Sequence, residues 1–415
     1  MSQTAFLAAP DPVSGTGKVS FRVFLTAAVG DFASHLFFGA LSFRARDLGA
    51  DPFTTGLVGL AGDGIYVIGA LFLGRWWDPM SRRRVTTAAL LLMALGLTLG
   101  SFAPSLVLFA GAFMVFRVGS SLFWPVLQSR LSDEAPADLG SAVCAFNIAW
   151  ASGKCVSYAL NAVLFSGWIP GVDWTPAKAC AVAAVAAAIT AFCVPRDVVR
   201  PKSVQRRTSR AAPPNGLPQR LAVARLVMFL GACVGVIVLN QAAPILRARG
   251  MSADVGNVIL ATIVGVQMIV FEGLRRRPHT VGRTGLLLGA CVFLIAAVGL
   301  FLVASTVPLL VVAAVLTGIG IGVGYVQSLV LSLAVPASAA DGAGKHEAVL
   351  GAGNALIAPV AGFVGSAFDA RGWGDGALWF GLVFVVAGTL HAVFRLRGLD
   401  AEAVRGIVSE ERSSP

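Results

Sequence analysis

Charged residues are scarce in this chain. Only 13% of its 415 residues are Asp, Glu, Lys or Arg, whereas 56% are hydrophobic, and the mean hydropathy is +0.79. A soluble globular chain carries about 25% charged residues. This shortage excludes a protein whose whole surface faces water, and it indicates a polytopic membrane protein.

Motifs of soluble chemistry are also missing. The chain has no Gly-x-x-x-x-Gly-Lys-Ser/Thr loop, which excludes ATP hydrolysis of the P-loop type. The four histidines show no metal-binding spacing, so we expect neither a metal site nor a cofactor. The six cysteines form no Cys-x-x-Cys pair and lie in apolar segments, where they are interpreted as small apolar side chains.

Long apolar runs are what the sequence has instead. A helix crosses a bilayer with about 20 apolar residues, and these runs do not alternate polar and apolar positions as barrel strands do. The sequence therefore predicts an all-α polytopic membrane protein with twelve transmembrane helices. We place them at about 21–43, 53–74, 85–102, 105–128, 140–165, 177–194, 221–246, 253–273, 284–304, 307–334, 346–368 and 376–395.

A basic linker divides these helices six from six. Residues 196–220 are rich in Pro, Ser and Arg and have no apolar periodicity, which is typical of loose surface segments. The predicted organisation is an N-terminal six-helix half (1–195), this linker (196–220), a C-terminal six-helix half (221–396) and a tail (397–415).

Positive charge is distributed unevenly between the two sides of the predicted bundle. Of the 32 lysines and arginines, 23 lie on the side of the termini and the linker, and 6 lie on the other side. Because cytoplasmic loops carry the excess of Lys and Arg, both termini are predicted to be cytoplasmic, in the inner (plasma) membrane. The same rule explains the net charge of +11 without a nucleic-acid partner.

The two halves resemble each other in sequence. "FLGRWWDPMSRRR" (72–84) follows the second helix of the first half, and "FEGLRRRPHTVGR" (271–283) follows the second helix of the other. The fifth helix of each half carries an asparagine, Asn147 or Asn354. Internal repeats of this kind are typical of transporter folds.

Residues 74–85 resemble the loop between the second and third helices of the major facilitator superfamily. Gly74, Asp78, Arg82, Arg83 and Val85 match its pattern, whereas a proline replaces the basic residue after the aspartate and a serine replaces the later glycine. With the helix count and the repeat, the resemblance covers roughly 20–396. It implies two pseudo-symmetric six-helix halves, alternating access, and a gating loop in which Asp78 is a latch. We expect Arg82 or Arg83 to pair with an acid across the halves; the alternative interpretation is a tight solvated turn whose arginines only set the topology.

Four ionisable residues fall near the middle of predicted helices: Asp31, Asp63, Arg117 and Lys154. Charges are costly at that depth and usually face a cavity, so these are the predicted substrate and coupling residues. We expect Asp31 to pair with Arg117. His35 lies one turn beyond Asp31, on the same face of the helix. Either the two side chains form a proton-responsive pair, or His35 only forms a structural hydrogen bond toward the outer mouth. Arg117 and Lys154 either hold an anionic or zwitterionic substrate or only neutralise the two aspartates.

Neutral polar and aromatic residues complete the predicted cavity, and the second half is expected to contribute mainly groups of this kind. The two tryptophans among them have helix packing as the alternative interpretation. The predicted function is proton-coupled secondary transport of a small solute by a monomer in the lipid bilayer. A membrane sensor or assembly factor that has lost transport is one alternative, and an intramembrane enzyme with Asp31 and Asp63 as its carboxylates is another. The cavity candidates are Trp124, Asn147, Trp150, Asn240, Gln241, Tyr325, Gln327 and Asn354.

Overall fold

Twelve long helices make up most of the chain in the computed structural model, which describes residues 19–76, 81–135, 138–196, 217–248, 251, 253–334, 339–369, 371 and 375–413. The predicted fold class is confirmed. In the described part of the chain the helices are α1 (Phe21–Asp47), α2 (Pro52–Trp76), α3 (Arg82–Phe102), α4 (Leu106–Glu134), α5 (Leu139–Phe165), α6 (Pro176–Cys193), α7 (Leu217–Ala248), α8 (Ala253–Arg276), α9 (Thr284–Val303), α10 (Val307–Ala334), α11 (Ala339–Asp369) and α12 (Gly376–Ser413).

Several helices extend beyond their apolar runs. α4 continues to Glu134, and α12 continues through the predicted tail to Ser413. α11 begins at Ala339, so Glu347 lies about two turns inside the helix instead of at its start. The predicted ends were wrong here because hydropathy marks contact with lipid, whereas a helix needs only its own backbone hydrogen bonds.

Eleven helices of the described chain are long and apolar enough to cross a membrane, and α5 is not among them. α5 carries Asn147, Lys154 and Asn161 within its length. It packs along α1 and along α8, so these polar groups lie against protein instead of lipid. The chain is therefore an integral membrane protein with one unusually polar inner helix.

The two halves, α1–α6 and α7–α12, meet along two seams. α2 packs along α11, and α5 packs along α8. We call the side of the bundle where α6 ends and α7 begins the linker side. On the opposite side a Cβ atom at Gly56 of α2 would lie 2.6 Å from the carbonyl oxygen of Ala358 in α11. On the linker side a Cβ atom at Gly344 would lie 2.5 Å from the carbonyl oxygen of Ala70, so this seam is tight at both ends.

Helices α3, α6, α9 and α12 take the outer positions. α3 exposes Leu91, Leu95 and Leu99 on one face, and α6 exposes Ile189 and Phe192. Monomeric soluble proteins rarely expose contiguous apolar stripes, and a bilayer covers such stripes. The other four helices of each half are left to surround the centre of the bundle.

Candidate functional site

A cavity of about 180 Å³ lies between the two halves. It is lined by α1, α2, α4 and α5 of the first half and by α7, α8, α10 and α11 of the second. An engineered apolar cavity of about 150 Å³ is large enough for benzene, so this cavity has the size for a small solute.

The two walls of the cavity differ in chemistry. The N-terminal half contributes most of the ionisable and most of the aromatic side chains, whereas α7 and α8 contribute mainly small or aliphatic ones. Gln267, Tyr325, Glu347 and Asn354 are polar exceptions in the C-terminal wall. The cavity therefore offers charge on one side and apolar surface on the other.

All five predicted substrate and coupling residues line this cavity, and half of the other candidates do so as well. The structure brings the five together from α1, α2, α4 and α5, although 123 positions separate the first from the last in sequence. Their roles stay predictions. The lining residues predicted from sequence are Asp31, His35, Asp63, Arg117 and Lys154, with Trp124, Trp150, Tyr325 and Asn354.

Two cavity candidates are placed elsewhere, which corrects the prediction. The fully buried Asn147 accepts a hydrogen bond from Trp150 Nε1 at 3.0 Å, so it supports a lining residue from behind. Gln327 accepts the backbone N–H of Gly282 at 2.5 Å, beyond the linker-side end of α8. A polar residue in a helix points to only one side, and the apolar pattern did not fix which side that is. Asn240 and Gln241 lie in α7, but their side chains are outside the described residues.

Arg117 forms its ion pair with Asp63, not with Asp31. The predicted Asp31–Arg117 pair is therefore wrong, because α4 packs along α2 but barely touches α1. The Arg117 guanidinium also lies over the Tyr66 ring, 4.0 Å from its centroid. Both partners of the pair are nearly buried, so the charge of Arg117 is already balanced within the first half.

Asp31 pairs with His35 on the same face of α1. The distance from His35 Nδ1 to Asp31 Oδ1 is 2.9 Å, and the same nitrogen lies 3.1 Å from the Asp31 carbonyl oxygen. The other carboxylate oxygen, Oδ2, is buried and has no hydrogen-bond partner among the described residues. A buried carboxylate oxygen is costly to leave unsatisfied, so Oδ2 is an open acceptor beside the cavity.

Lys154 is the cation of the cavity that no carboxylate neutralises directly. Among the described residues no acid lies within ion-pair distance of its ammonium, and Asp31 acts on it only through space. The ammonium lies 5.7 Å from the ring centroid of Trp150. The adjacent Gly153 allows α5 to contact the carbonyl oxygen of Ala28, which brings Lys154 beside α1. Of the two cations, Lys154 is thus the one available to an anionic group.

Glu347 on α11 is a charged lining residue that the sequence analysis missed. Its carboxylate accepts hydrogen bonds from Tyr66 of α2 and Gln128 of α4, and Tyr325 of α10 donates a third at 3.3 Å. The expectation of mainly neutral groups in the second half is wrong at this position. The predicted start of α11 at 346 placed Glu347 at the membrane edge, where an acid is unremarkable.

A sequence signal for Glu347 did exist. Gly344 and Gly351 are seven residues apart, on the same face as Glu347, and small residues on one face mark close helix contacts. In the structure Gly344 meets Ala70 of α2, and Gly351 meets the Tyr66 ring, where a Cβ atom would lie 2.7 Å from Cδ1. A carboxylate between two such glycines is placed against the other half.

The predicted gating loop is described only in part. Gly74 lies in the last turns of α2, and Asp78 is outside the described residues. Arg82, at the start of α3, pairs with Asp133 near the end of α4. Both belong to the first half, so the Arg82 pair described here does not cross the halves as predicted. Arg83 is exposed.

Comparisons with known proteins agree on the type of fold. The family model described as Major Facilitator Superfamily matches residues 23–368. By sequence, the chain matches no curated protein.

Solved structures with a similar fold are transporters at low sequence identity. A bacterial homologue of the human lysosomal transporter Spinster, inward-facing and occupied, has a TM-score of 0.67 at 15% identity, covering 91% of this chain and 96% of that one. The human organic anion transporter MFSD10 (TETRAN) has a TM-score of 0.68 at 17% identity, covering 90% and 98%. The nucleoside transporter NupG has a TM-score of 0.64 at 15% identity, covering 90% and 99%. At these identities the likeness shows the fold alone.

Proposed function

The chain belongs to the Major Facilitator Superfamily and is a membrane transporter, not an enzyme, and on that premise we propose that it moves a small anionic or zwitterionic solute by proton-coupled alternating access. The position of the cavity supports this proposal. It lies between two halves that each contribute four helices, so rocking of one half against the other exposes it to either side in turn. One chain holds the complete cavity, which is consistent with a monomer.

Lys154 carries the argument for the substrate. A cation that faces a membrane-embedded cavity without a carboxylate partner gains most from an anionic group of the solute. On the neighbouring helix α1, the open Oδ2 atom of Asp31 offers an acceptor for an ammonium group of the solute. A solute with both groups satisfies both residues, and the apolar wall of α7 and α8 suits its carbon skeleton.

The Asp31–His35 pair supports proton coupling. Histidine is the side chain whose charge changes most readily near neutral pH, and a neighbouring carboxylate tunes that change. Proton uptake by this pair alters the charge next to Lys154, and hence the attraction between the cavity and an anionic solute. Solute and proton binding are then linked through one local charge balance.

Three probes with the same branched carbon skeleton test the substrate class: leucine, 4-methylpentanoate and 3-methylbutylamine. A ligand that binds only the folded state raises the melting temperature. We expect the two carboxylate-bearing probes to stabilise the purified protein and the amine alone to have no effect. Lys154→Gln should remove the stabilisation by both carboxylate-bearing probes. Asp31→Asn should reduce the stabilisation by leucine more than the stabilisation by 4-methylpentanoate.

Uptake into proteoliposomes then separates transport from sensing. A stabilising probe should accumulate inside vesicles when a pH gradient is imposed. Binding without flux would favour the sensor alternative, and equal stabilisation by the amine would contradict the anionic substrate class.

The charge skew supports an orientation with both termini in the cytoplasm of a plasma membrane. We propose that the linker side is the cytoplasmic side, since it holds 23 of the 32 basic residues. Reporter fusions after Arg206 and after Glu410 should both report cytoplasmic locations. Activity of an external reporter at either position contradicts this orientation.

The loop between α2 and α3 is proposed to be a latch. A carboxylate near a helix N-terminus gains about 0.3–1 kcal/mol, which is enough to bias two conformations of similar energy. Asp78→Ala should lower flux while membrane insertion and helix content stay the same. Unchanged flux with normal insertion would remove Asp78 from the mechanism.

A further inference from the structure

Four side chains form a polar cluster between the cavity and the linker side, which we call the carboxylate clasp: Tyr66, Gln128, Tyr325 and Glu347. Tyr66 and Gln128 belong to the first half, and Tyr325 and Glu347 belong to the second. Tyr66 Oη and Gln128 Nε2 donate hydrogen bonds across the halves to the Glu347 carboxylate, and Gln128 Nε2 also lies 3.2 Å from Tyr325 Oη. All four are buried.

The clasp closes the linker side of the cavity. Gln128 lies six residues before the linker-side end of α4, and Glu347 lies eight residues after the linker-side start of α11. Each is therefore about two turns from that side. Trp150 adds an aromatic contact across the halves, since its ring centroid is 5.2 Å from that of Tyr325 and 5.7 Å from that of Phe271.

Ionisable and charged groups face Glu347 from every element that holds the clasp. α2 supplies the Tyr66 hydroxyl, and α4 supplies the Arg117 guanidinium stacked on the Tyr66 ring. On α11 itself His346 Nε2 is 4.0 Å from Glu347 Oε1, while His346 Nδ1 is 3.0 Å from Ser328 Oγ. α10 supplies Tyr325, and Arg225 of α7 acts on His346 from the next layer.

We propose that the Glu347 carboxylate holds the two halves together on the linker side, and that binding of a proton to Glu347 releases them. The inference deepens the proposed transport function and rests on it. An ionised carboxylate only accepts hydrogen bonds, which matches the three donors that converge on it. Protonation turns one oxygen into a donor and removes the negative charge that strengthens all three hydrogen bonds, so the bonds between the halves weaken.

Tyr66 links the clasp to the charged side of the cavity. Its hydroxyl binds Glu347, and its ring lies under Arg117, which pairs with Asp63. A solute or proton that changes the Arg117–Asp63 pair therefore changes the position of a clasp donor. Tyr66 is a positioning residue in this scheme, and Glu347 is the group whose protonation opens the clasp.

Distances between spin labels test the clasp without a known substrate. Arg84 and Arg277 are exposed on the linker side, one in each half, and Trp168 and Thr306 are exposed on the opposite side. Each pair is replaced in turn by cysteines, in a chain whose six native cysteines are changed to alanine. The labelled protein is measured in lipid nanodiscs at about pH 8 and at about pH 5, so that the two samples differ in proton concentration. Acid should lengthen the Arg84–Arg277 distance and shorten the Trp168–Thr306 distance.

Glu347→Gln should give the long linker-side distance at both pH values, because the amide has the shape of the acid and no negative charge. Tyr66→Phe keeps the carboxylate and removes one donor, so it should increase the long-distance population at about pH 8 and retain a response to acid. Gly351→Ala should act like Tyr66→Phe by displacing the ring. Gly64→Ala, on α2 and facing open space, is the matched control and should leave both distances unchanged.

Native distances with a native pH response in Glu347→Gln would overturn the proposal. If that variant does not fold, Tyr66→Phe decides, since an unchanged distance distribution in a folded protein shows that the clasp does not hold the halves. The outcome is separate from that of the transport proposal. If the label distances respond as expected but proteoliposomes show no flux, the clasp is retained and transport is rejected. If proteoliposomes show flux but Glu347→Gln leaves the label distances and their pH response unchanged, transport is retained and the clasp is rejected.

Discussion

Arg117 and Asp63 bind each other across α2 and α4, and both side chains are nearly buried. Removal of one partner leaves a lone charge in a medium of low polarity, which costs about 3–5 kcal/mol, whereas removal of both is often nearly neutral. Asp63→Asn and Arg117→Gln should therefore each lower the free energy of unfolding, and the double variant should be more stable than either. Reversible unfolding in detergent micelles gives the free energy of unfolding of the wild type, the two single variants and the double variant.

The control is a second double-mutant cycle, which combines Arg117 with Asp31, the other aspartate of the cavity. Asp31 contacts His35 and not Arg117, so the effects of Asp31→Asn and Arg117→Gln should add to within about 0.5 kcal/mol. A strong coupling between Asp31 and Arg117, with none between Asp63 and Arg117, would show that the pairing described here is not the one the protein uses.

Gly153 lies at a close approach of the α5 backbone to α1. A Cβ atom at Gly153 would collide with the carbonyl oxygen of Ala28, so Gly153→Ala must push the two helices apart. Overpacking of this kind costs about 1–3 kcal/mol and should lower the melting temperature. It should also weaken binding of 4-methylpentanoate, because Lys154 follows directly in the chain.

Gly64→Ala serves as the control at the level of helices. Gly64 has open space around it, and alanine is about 1 kcal/mol better than glycine inside a helix, so this variant should be neutral or slightly stabilised. An equal loss of stability in both variants would mean that glycine flexibility, and not the closeness of α1 and α5, is what matters at Gly153.

Coupling is a property of the whole molecule, since it links proton binding to movement of the two halves. If the Asp31–His35 pair carries the coupled proton, Asp31→Asn should abolish accumulation of a bound probe against its gradient. Exchange of labelled for unlabelled probe needs no net proton movement and should persist. Both are measured in the same proteoliposomes, with and without a pH gradient.

His35→Gln is the companion variant, because it keeps a side chain that donates a hydrogen bond to Asp31 and cannot become charged. It should shift the pH dependence of accumulation without removing exchange. If Asp31→Asn still accumulates the probe in response to a pH gradient, another carboxylate carries the coupled proton. Asp63 and Glu347 are the other acids that line the cavity among the described residues.

Local pattern was sufficient to predict the helices and the division into two halves. Apolar runs of membrane length, a basic linker and one repeated loop predict twelve helices in two sets of six, because each of these signals acts within a short stretch of chain. The depth of Asp31, Asp63, Arg117 and Lys154 follows from the same runs, since a charge in the middle of an apolar segment has to avoid lipid.

Only the tertiary structure decided which of these groups meet. Asp31 and Asp63 are equivalent in the sequence as partners for Arg117, and the choice depends on α4 packing along α2 instead of α1. Glu347 entered the site only when α11 proved to begin at Ala339, within reach of Tyr66 and Gln128 from the other half. Hydropathy reports how each residue prefers lipid or water, and it contains no information on which distant helix lies opposite, so pairs across helices are fixed by packing alone.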